Sequence, residues 1–149
     1  MSEENKALVR RYFEEVEQGR NLDVLDELFA AEYVHHDPTL PPDLQHSLDA
    51  YKQVLIMFFE AFPDLQGTLE DMVGEKDKVA SRLRWRGTHQ GELMGVPPSG
   101  KQVDFTMLEI NRISEGKIVE GWVNFDALGM LQQIGAIPEP GHSEEASPT

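Results

Sequence analysis

The segment VDFTMLEINRISEGKIVEGWVNFDALGMLQQIG, residues 103–135, constrains the fold of this chain more than any other. Apolar residues alternate on both sides of Glu115-Gly116, the pattern of two antiparallel strands joined by a tight turn. A two-residue turn sets Ile113 against Ile118, Asn111 against Glu120, Glu109 against Trp122 and Met107 against Asn124. On that register one face carries two carboxylates, two amides, a Met and a Trp. The other carries Leu108, Ile110, Val119, Val123 and Phe125. A sheet with one mixed and one apolar face fits a domain that encloses a ligand.

Upstream of the hairpin the hydrophobic period changes. Leu8, Tyr12, Phe13 and Val16 recur at helical spacing over residues 3–18, and Gly19 fits the stop position. Asn21 is a candidate cap for a second short helix with Leu22, Leu25, Leu28 and Phe29 inward. The segment AEYVHHDPTLPPDLQH, 31–46, is broken by proline and reads as a loop. Ser47 caps a third helix marked by Leu48, Tyr51, Leu55, Phe58 and Phe62, and Pro63 ends it. After Asp64 the period becomes two, which predicts strands over 67–74, 78–87, 101–113 and 117–125. A turn-rich loop, GELMGVPPSG, joins the second and third, and a short helix over 127–134 closes the chain. Helices followed by an antiparallel meander predict an α+β fold with helices on one side of a curved sheet.

The chain of 149 residues fits one domain over 1–137, followed by an acidic tail, 138–149, whose Pro, Ser and Glu content predicts disorder. Asp and Glu number 27 against 13 Lys and Arg, a formal charge of −14 that disfavours nucleic acid and anionic membrane as partners. With no Cys, disulfides, thiolate metal sites and a Cys nucleophile are excluded. The longest apolar run, VLIMFFEAF, is too short and interrupted for a membrane span, and a cytoplasmic location is expected. His35, His36 and Asp37 are adjacent and lack a well-spaced third ligand, so no metal is expected.

Four segments, YVHHDP, AFPDL, RGTHQGELMGVPPSGK and GKIVEGWVNFDALGMLQQIG, stand in an order and spacing that resemble the SnoaL-like polyketide cyclases of the nuclear-transport-factor-2-like superfamily, over about residues 5–137. The resemblance implies a cone-shaped barrel of strongly curved, mainly antiparallel sheet, three N-terminal helices over its concave face and a short C-terminal helix. It implies a cofactor-independent enzyme acting on a small apolar carbonyl compound or polyketide-like ester. In such cyclases a carboxylate removes an activated proton and the carbanion closes a ring by intramolecular aldol addition. The fold also hosts isomerases, epoxide hydrolases and non-catalytic binding or dimerisation domains. Homodimers through the outer sheet face are common in the superfamily.

Asp126 stands where the family motif places an Asp before the closing helix, a position that equally suits a helix cap. A further carboxylate often follows the motif's Trp in the family. Here Val123 and Asn124 follow Trp122, and an amide cannot take a proton at neutral pH. Glu109 and Glu120 offer other carboxylates, or are merely solvated on an exposed or dimer-contact face. His36 in the HDP loop is a candidate donor or proton relay at a pocket mouth, with His35 expected at the surface. Arg82 is a candidate for binding an ester carbonyl, whereas Arg84 and Arg86 fit a cross-strand charge ladder with acids such as Glu70. Tyr12, Phe58, Phe62 and Trp122 are candidate pocket walls, with Asn124 a candidate hydrogen-bond donor; plain core packing is the alternative for the aromatics. His89 is expected to anchor its turn. An Arg82, Asp104 and Asp126 grouping would be needed for epoxide hydration.

Overall fold

The computed structural model describes residues 2–138. Helix α1 (Ser2–Tyr12) passes directly into a π-helical turn, Phe13–Gln18, and α2 (Leu25–Leu28) follows a 3₁₀ turn at Leu22–Val24. Strand β1 (Phe29–His36) precedes α3 (Leu48–Ala61). Then come β2 (Gln66–Glu75), β3 (Lys78–Thr88), β4 (Gln102–Ser114), β5 (Lys117–Phe125) and α4 (Ala127–Gln133). The five strands form one sheet in the order β1-β5-β4-β3-β2, with β1 parallel to β5 and the other neighbours antiparallel. The fold is α+β, as expected, but the sheet is not closed: β1 and β2 are its edges, and the cone is a curve of the sheet. The acidic tail lies outside the described residues, apart from Pro138.

The local causes are largely the ones the sequence shows. Ser47 Oγ accepts the Ala50 N–H at 3.1 Å and starts α3, while Phe62, just before Pro63, is its C-terminal cap. Gly19 sits where a Cβ would meet the Glu14 and Glu15 carbonyl oxygens at 2.8 Å, so no larger residue fits that close backbone turn. The left-handed residue that ends the helix is its neighbour Arg20, at φ 62°. Asn21 makes no side-chain cap, and α2 stops at Leu28, because Phe29 already has extended backbone.

Two expectations fail here, both for reasons of register. Residues 29–36 are a strand rather than helix end and loop: Phe29, Tyr33 and His35 point inward while the backbone pairs with β5. Proline further along the segment made it look irregular, and two of its inward residues carry polar atoms that a hydrophobic alternation does not register. The hairpin turn at Glu115-Gly116 is as expected, with both residues at positive φ (52° and 75°) and Ile113 opposite Ile118. Immediately afterwards Arg112 pairs with Glu120, so Val119 is the extra residue of a β-bulge. Glu109 therefore opposes Val123 and Asn111 opposes Gly121, while Ile110 opposes Trp122 and Leu108 opposes Asn124. The alternation of β4 turns Glu109 and Asn111 inward and leaves Leu108 and Ile110 outside, and the bulge sets Gly121 and Val123 of β5, in place of Glu120, Trp122 and Asn124, on the inner face beside them.

Helices α1 and α3 cover the inner face. One apolar cluster joins Val9, Val16, Leu25, Phe29, Leu48, Val54 and Ile118; a second joins Phe13, Phe62, Leu83, Trp85, Phe105 and Met130. The first cluster also holds Tyr12, Tyr33 and Tyr51, whose hydroxyls meet the buried polar side chains of Glu17, Glu109 and His35, with buried Asn111 beside Glu109.

Candidate active site

A cavity of about 80 Å³ lies between α3 and the inner sheet face. Its walls are apolar: Val54, Leu55, Phe58 and Phe59 from α3, Trp85 from β3, Phe105 and Met107 from β4, Val123 and Phe125 from β5, with Leu65. Its polar residues are Glu17, His35, Asp37 and Tyr51. Glu17 arrives there from the π-helical turn, His35 from β1 and Tyr51 from α3. π-Turns inserted in α-helices are frequent at functional sites, since they re-aim side chains out of the regular helical register. Asp37 closes a local turn, accepting from the Thr39 N–H at 2.9 Å and the Thr39 hydroxyl at 2.7 Å.

Behind the cavity wall, the Tyr12 hydroxyl reaches three oxygens. It lies 3.1 Å from Glu17 Oε2, 3.1 Å from Glu109 Oε2, and in a short hydrogen bond with the Tyr51 hydroxyl. Both carboxyls are buried, Glu17 at 5 % and Glu109 at 2 % exposure. Burial pushes the Glu109 carboxyl up to about 7, against the Tyr12 hydroxyl and the neighbouring Asn111 amide, which act the other way. Burial, reinforced by the charge of Glu109, holds Glu17 well above the usual carboxylate range. The three tyrosines are driven up by burial and stay protonated.

On the β1 side the Tyr33 hydroxyl and His35 Nδ1 are 2.9 Å apart. Burial, then the charge of His36, lowers His35 to about 4, so its ring is neutral at physiological pH. A Tyr33 hydroxyl that donates to Nδ1 leaves the ring hydrogen on Nε2 as a donor. Gly121 makes room for this arrangement: a Cβ there would fall on the Tyr33 hydroxyl and within 3.2 Å of Asn111 Oδ1. Ser81 Oγ and both polar atoms of the Asn111 amide are buried without a protein hydrogen bond of good geometry. Ser81 opposes Glu109 across β3 and β4, and these atoms extend the polar floor.

Of the residues singled out from sequence, Tyr12 and Glu109 join this cluster and Phe58 lines the cavity. Phe62 is fully buried beside His89, at 5.8 Å between ring centroids, and does not line it. Asp126 is exposed; its Oδ1 accepts the Gly129 N–H at 2.9 Å and caps α4. His36, Glu120 and Trp122 sit together on the outer face: His36 Nε2 is 2.7 Å from Glu120 Oε2, and its ring stacks on Trp122. Asn124 is exposed on that face opposite Leu108. The bulge at Val119 is the cause for Glu120, Trp122 and Asn124. For the two histidines it is the strand β1, which sends His35 inward and His36 out, the reverse of the expectation. Arg82 pairs with Glu70 at 2.8 Å and Arg84 forks onto Asp104 at 2.7 and 2.6 Å, so the whole arginine row is a surface ladder. Arg82, Asp104 and Asp126 do not converge, which removes the epoxide-hydration grouping. His89 anchors its turn, its Nδ1 accepting from the Ser99 N–H at 3.1 Å.

Sequence reasoning missed Glu17 and Tyr33 and placed His35 wrongly. Tyr51 was visible only as a helical core position. An available signal was the polar residue repeated on the inner side of 33, 35 and 37, a period of two inside an apparent loop.

The chain belongs to the SnoaL-like polyketide cyclase family, whose sequence profile matches residues 7–134. It is 29% identical over 135 residues to the aklanonic acid methyl ester cyclase DnrD of Streptomyces peucetius, covering 86% of this chain and 88% of that protein. It is 29% identical over 111 residues to the nogalonic acid methyl ester cyclase of Streptomyces nogalater, covering 70% of this chain and 81% of that protein. Among solved structures it resembles AclR of Streptomyces galilaeus, a candidate hydroxylase, with a TM-score of 0.82 at 30% identity over 99% of this chain and 91% of that one. It also resembles IdmH of Streptomyces antibioticus, a candidate polyketide cyclase, with a TM-score of 0.75 at 34% identity over 88% of this chain and 98% of that one. The homologous cyclases support a cyclase-like role and a small polyketide-like ligand.

Proposed function

We propose that the protein is a cofactor-independent ester cyclase that uses Glu17 as the base for ring closure on an aromatic polyketide ester. The observation that carries this reading is the position of a buried, ionisable Glu17 at the polar end of an otherwise apolar cavity. A flat conjugated ester would lie between the aromatic walls with its activated carbon toward Glu17. The ionised carboxylate takes the proton from that carbon, the resulting enolate attacks a ketone carbon of the same molecule, and one C–C bond forms. The new alkoxide takes that proton back from the Glu17 carboxyl and becomes the alcohol, which regenerates the base, so the reaction is redox-neutral and needs no co-reactant. His35, neutral and held by Tyr33, supplies a hydrogen bond to the oxygen on which charge develops. The conjugated substrate stabilises its own enolate, which leaves positioning and water exclusion to the apolar walls.

The cavity is narrower than the roughly 300–1,000 Å³ of typical ligand pockets. A multi-ring ester therefore needs a wall to turn, and Phe58, half-buried and edge-on to Phe125 at 6.0 Å, is the candidate. Phe59 is held by the Arg20 guanidinium 5.1 Å above its ring.

A specific feature supports a second reading, in which the domain binds such ligands without turning them over. Val123, which directly follows Trp122 where the resemblance implies a carboxylate, lines the cavity as a hydrocarbon. The two readings separate when purified protein is mixed with a panel of polyketide methyl esters and isomeric ring-closed product is followed chromatographically. The enzyme reading expects closure that falls by about 100-fold or more in Glu17→Gln and persists in Asp126→Asn. Binding with no closure above background would leave only the second reading.

The outer sheet face supports a homodimer. Val73, Ala80, Ile110 and Trp122 form a row across β2, β3, β4 and β5, next to exposed Leu108. A second copy of the chain would cover it.

A further inference from the structure

Three oxygen–oxygen contacts converge on one hydroxyl in the interior, one of them short, and hydrogen atoms must be found for all of them. The Tyr12 oxygen contacts Glu17 Oε2, Glu109 Oε2 and the Tyr51 oxygen. A hydroxyl donates one hydrogen bond and accepts two. Three two-centre bonds need three hydrogens, and the two tyrosines supply two. A hydrogen on one carboxyl completes the set. With both acids ionised, the single Tyr12 hydrogen would be split between two carboxylates whose charges repel each other in a buried site with no cation beside them among the described residues. The groups facing the pair from the surrounding elements are Tyr51 of α3, Tyr33 and His35 of β1, and Asn111 of β4, with Glu120 of β5 acting on Tyr33 from the far side. None of the inward groups is a cation at neutral pH.

We propose that Glu17 and Glu109 hold one proton between them through the Tyr12 hydroxyl, making Glu109 a positioning residue that sets the charge of the cavity-facing carboxylate. In one arrangement protonated Glu17 donates to Tyr12 and Tyr12 donates to ionised Glu109. In the other, protonated Glu109 donates to Tyr12 and Tyr12 donates to ionised Glu17. Reversing the two hydrogen bonds moves the proton from one carboxyl to the other while every heavy atom stays in place. Tyr51 donates to Tyr12 in both. The second arrangement presents the base to the cavity with its proton parked on the interior side. The charge on Glu17 is then set from within the protein, without water entering the apolar cavity. This deepens the reading of Glu17 as the base and rests on it for its consequence in catalysis. The proton sharing itself rests only on the geometry.

The test is a pH titration of the full chain carrying ¹³C-carboxyl glutamate, followed by NMR, in the wild type, Glu109→Gln and Tyr12→Phe. The wild type is expected to keep one protonated carboxyl of the pair at neutral pH, with the two titrating as coupled steps. Glu109→Gln is expected to lower the Glu17 midpoint by about one pH unit or more, as the neighbouring charge is gone. Tyr12→Phe is expected to uncouple the steps. Two ionised carboxyls at neutral pH in the wild type, or a Glu17 midpoint unmoved in Glu109→Gln, would overturn the proposal. The wild-type spectrum decides alone should either variant fail to fold. Coupled titration in a protein that closes no ring would leave the sharing in place and remove the enzyme. Ring closure lost in Glu17→Gln alongside independent titration would do the reverse.

Discussion

Glu109 has a consequence for stability that is independent of any substrate. Its carboxyl is raised from the ordinary 4.5 to about 7 by burial, so the folded state binds that proton more tightly than the unfolded chain. The sign follows: folding is unpenalised below the unfolded value, and stability is lost as pH rises from about 4.5 through about 7. Glu109→Gln is expected to be the more stable protein at pH 8, with the advantage gone near pH 4, by urea denaturation at both. Gly121 makes a second residue-scale prediction. Gly121→Ala drives a Cβ into the Tyr33 hydroxyl, and is expected to cost about 1–3 kcal/mol in the same assay. Residue identity was the part of the site hardest to see in advance. Tyr12 was visible as a polar tip on an inward helical position, and Glu109 as a carboxylate on a hairpin face whose direction the sequence left open. Glu17 was not, because it reads as one more exposed acid until the π-turn carries it inside.

Among the elements, the meander after Asp64 and the caps at Ser47 and Asp126 were legible, since alternation and capping are written in adjacent residues. Strand β1 and the bulge at Val119 were not. Each is decided by pairing with a distant strand; the bulge has no local signal, and that of β1 is only the polar period of two at 33, 35 and 37. One slip of register at Val119 sufficed to exchange Glu120, Trp122 and Asn124 for Gly121 and Val123 on the inner face. Asp126 then has a plain role in its element. Asp126→Ala is expected to lower stability by about 1 kcal/mol through loss of the cap bond to Gly129, and to leave ring closure intact. A variant that kept its stability but lost turnover would return Asp126 to the site.

For the whole molecule, the alternation of β4 places Leu108, at 58 % exposure, and Ile110, at 41 %, on the outer surface, and the bulge adds Trp122 of β5 beside them. The chain also carries a formal charge of −14, which opposes unspecific association and makes an exposed apolar row notable. Light scattering on the eluting protein is expected to give the mass of two chains, and Leu108→Glu to give one. A wild-type monomer would contradict the covered outer face without touching the cavity, because the polar cluster is completed within one chain.

The role of Glu17 is tested most directly before any ring forms, by the exchange of deuterium from solvent into the activated carbon of a bound polyketone ester. Enolisation by a cavity carboxylate predicts exchange well above the buffer rate in the wild type, rising with pH, and reduced to background in Glu17→Gln. Exchange that is equally fast with glutamine at position 17 would contradict the account.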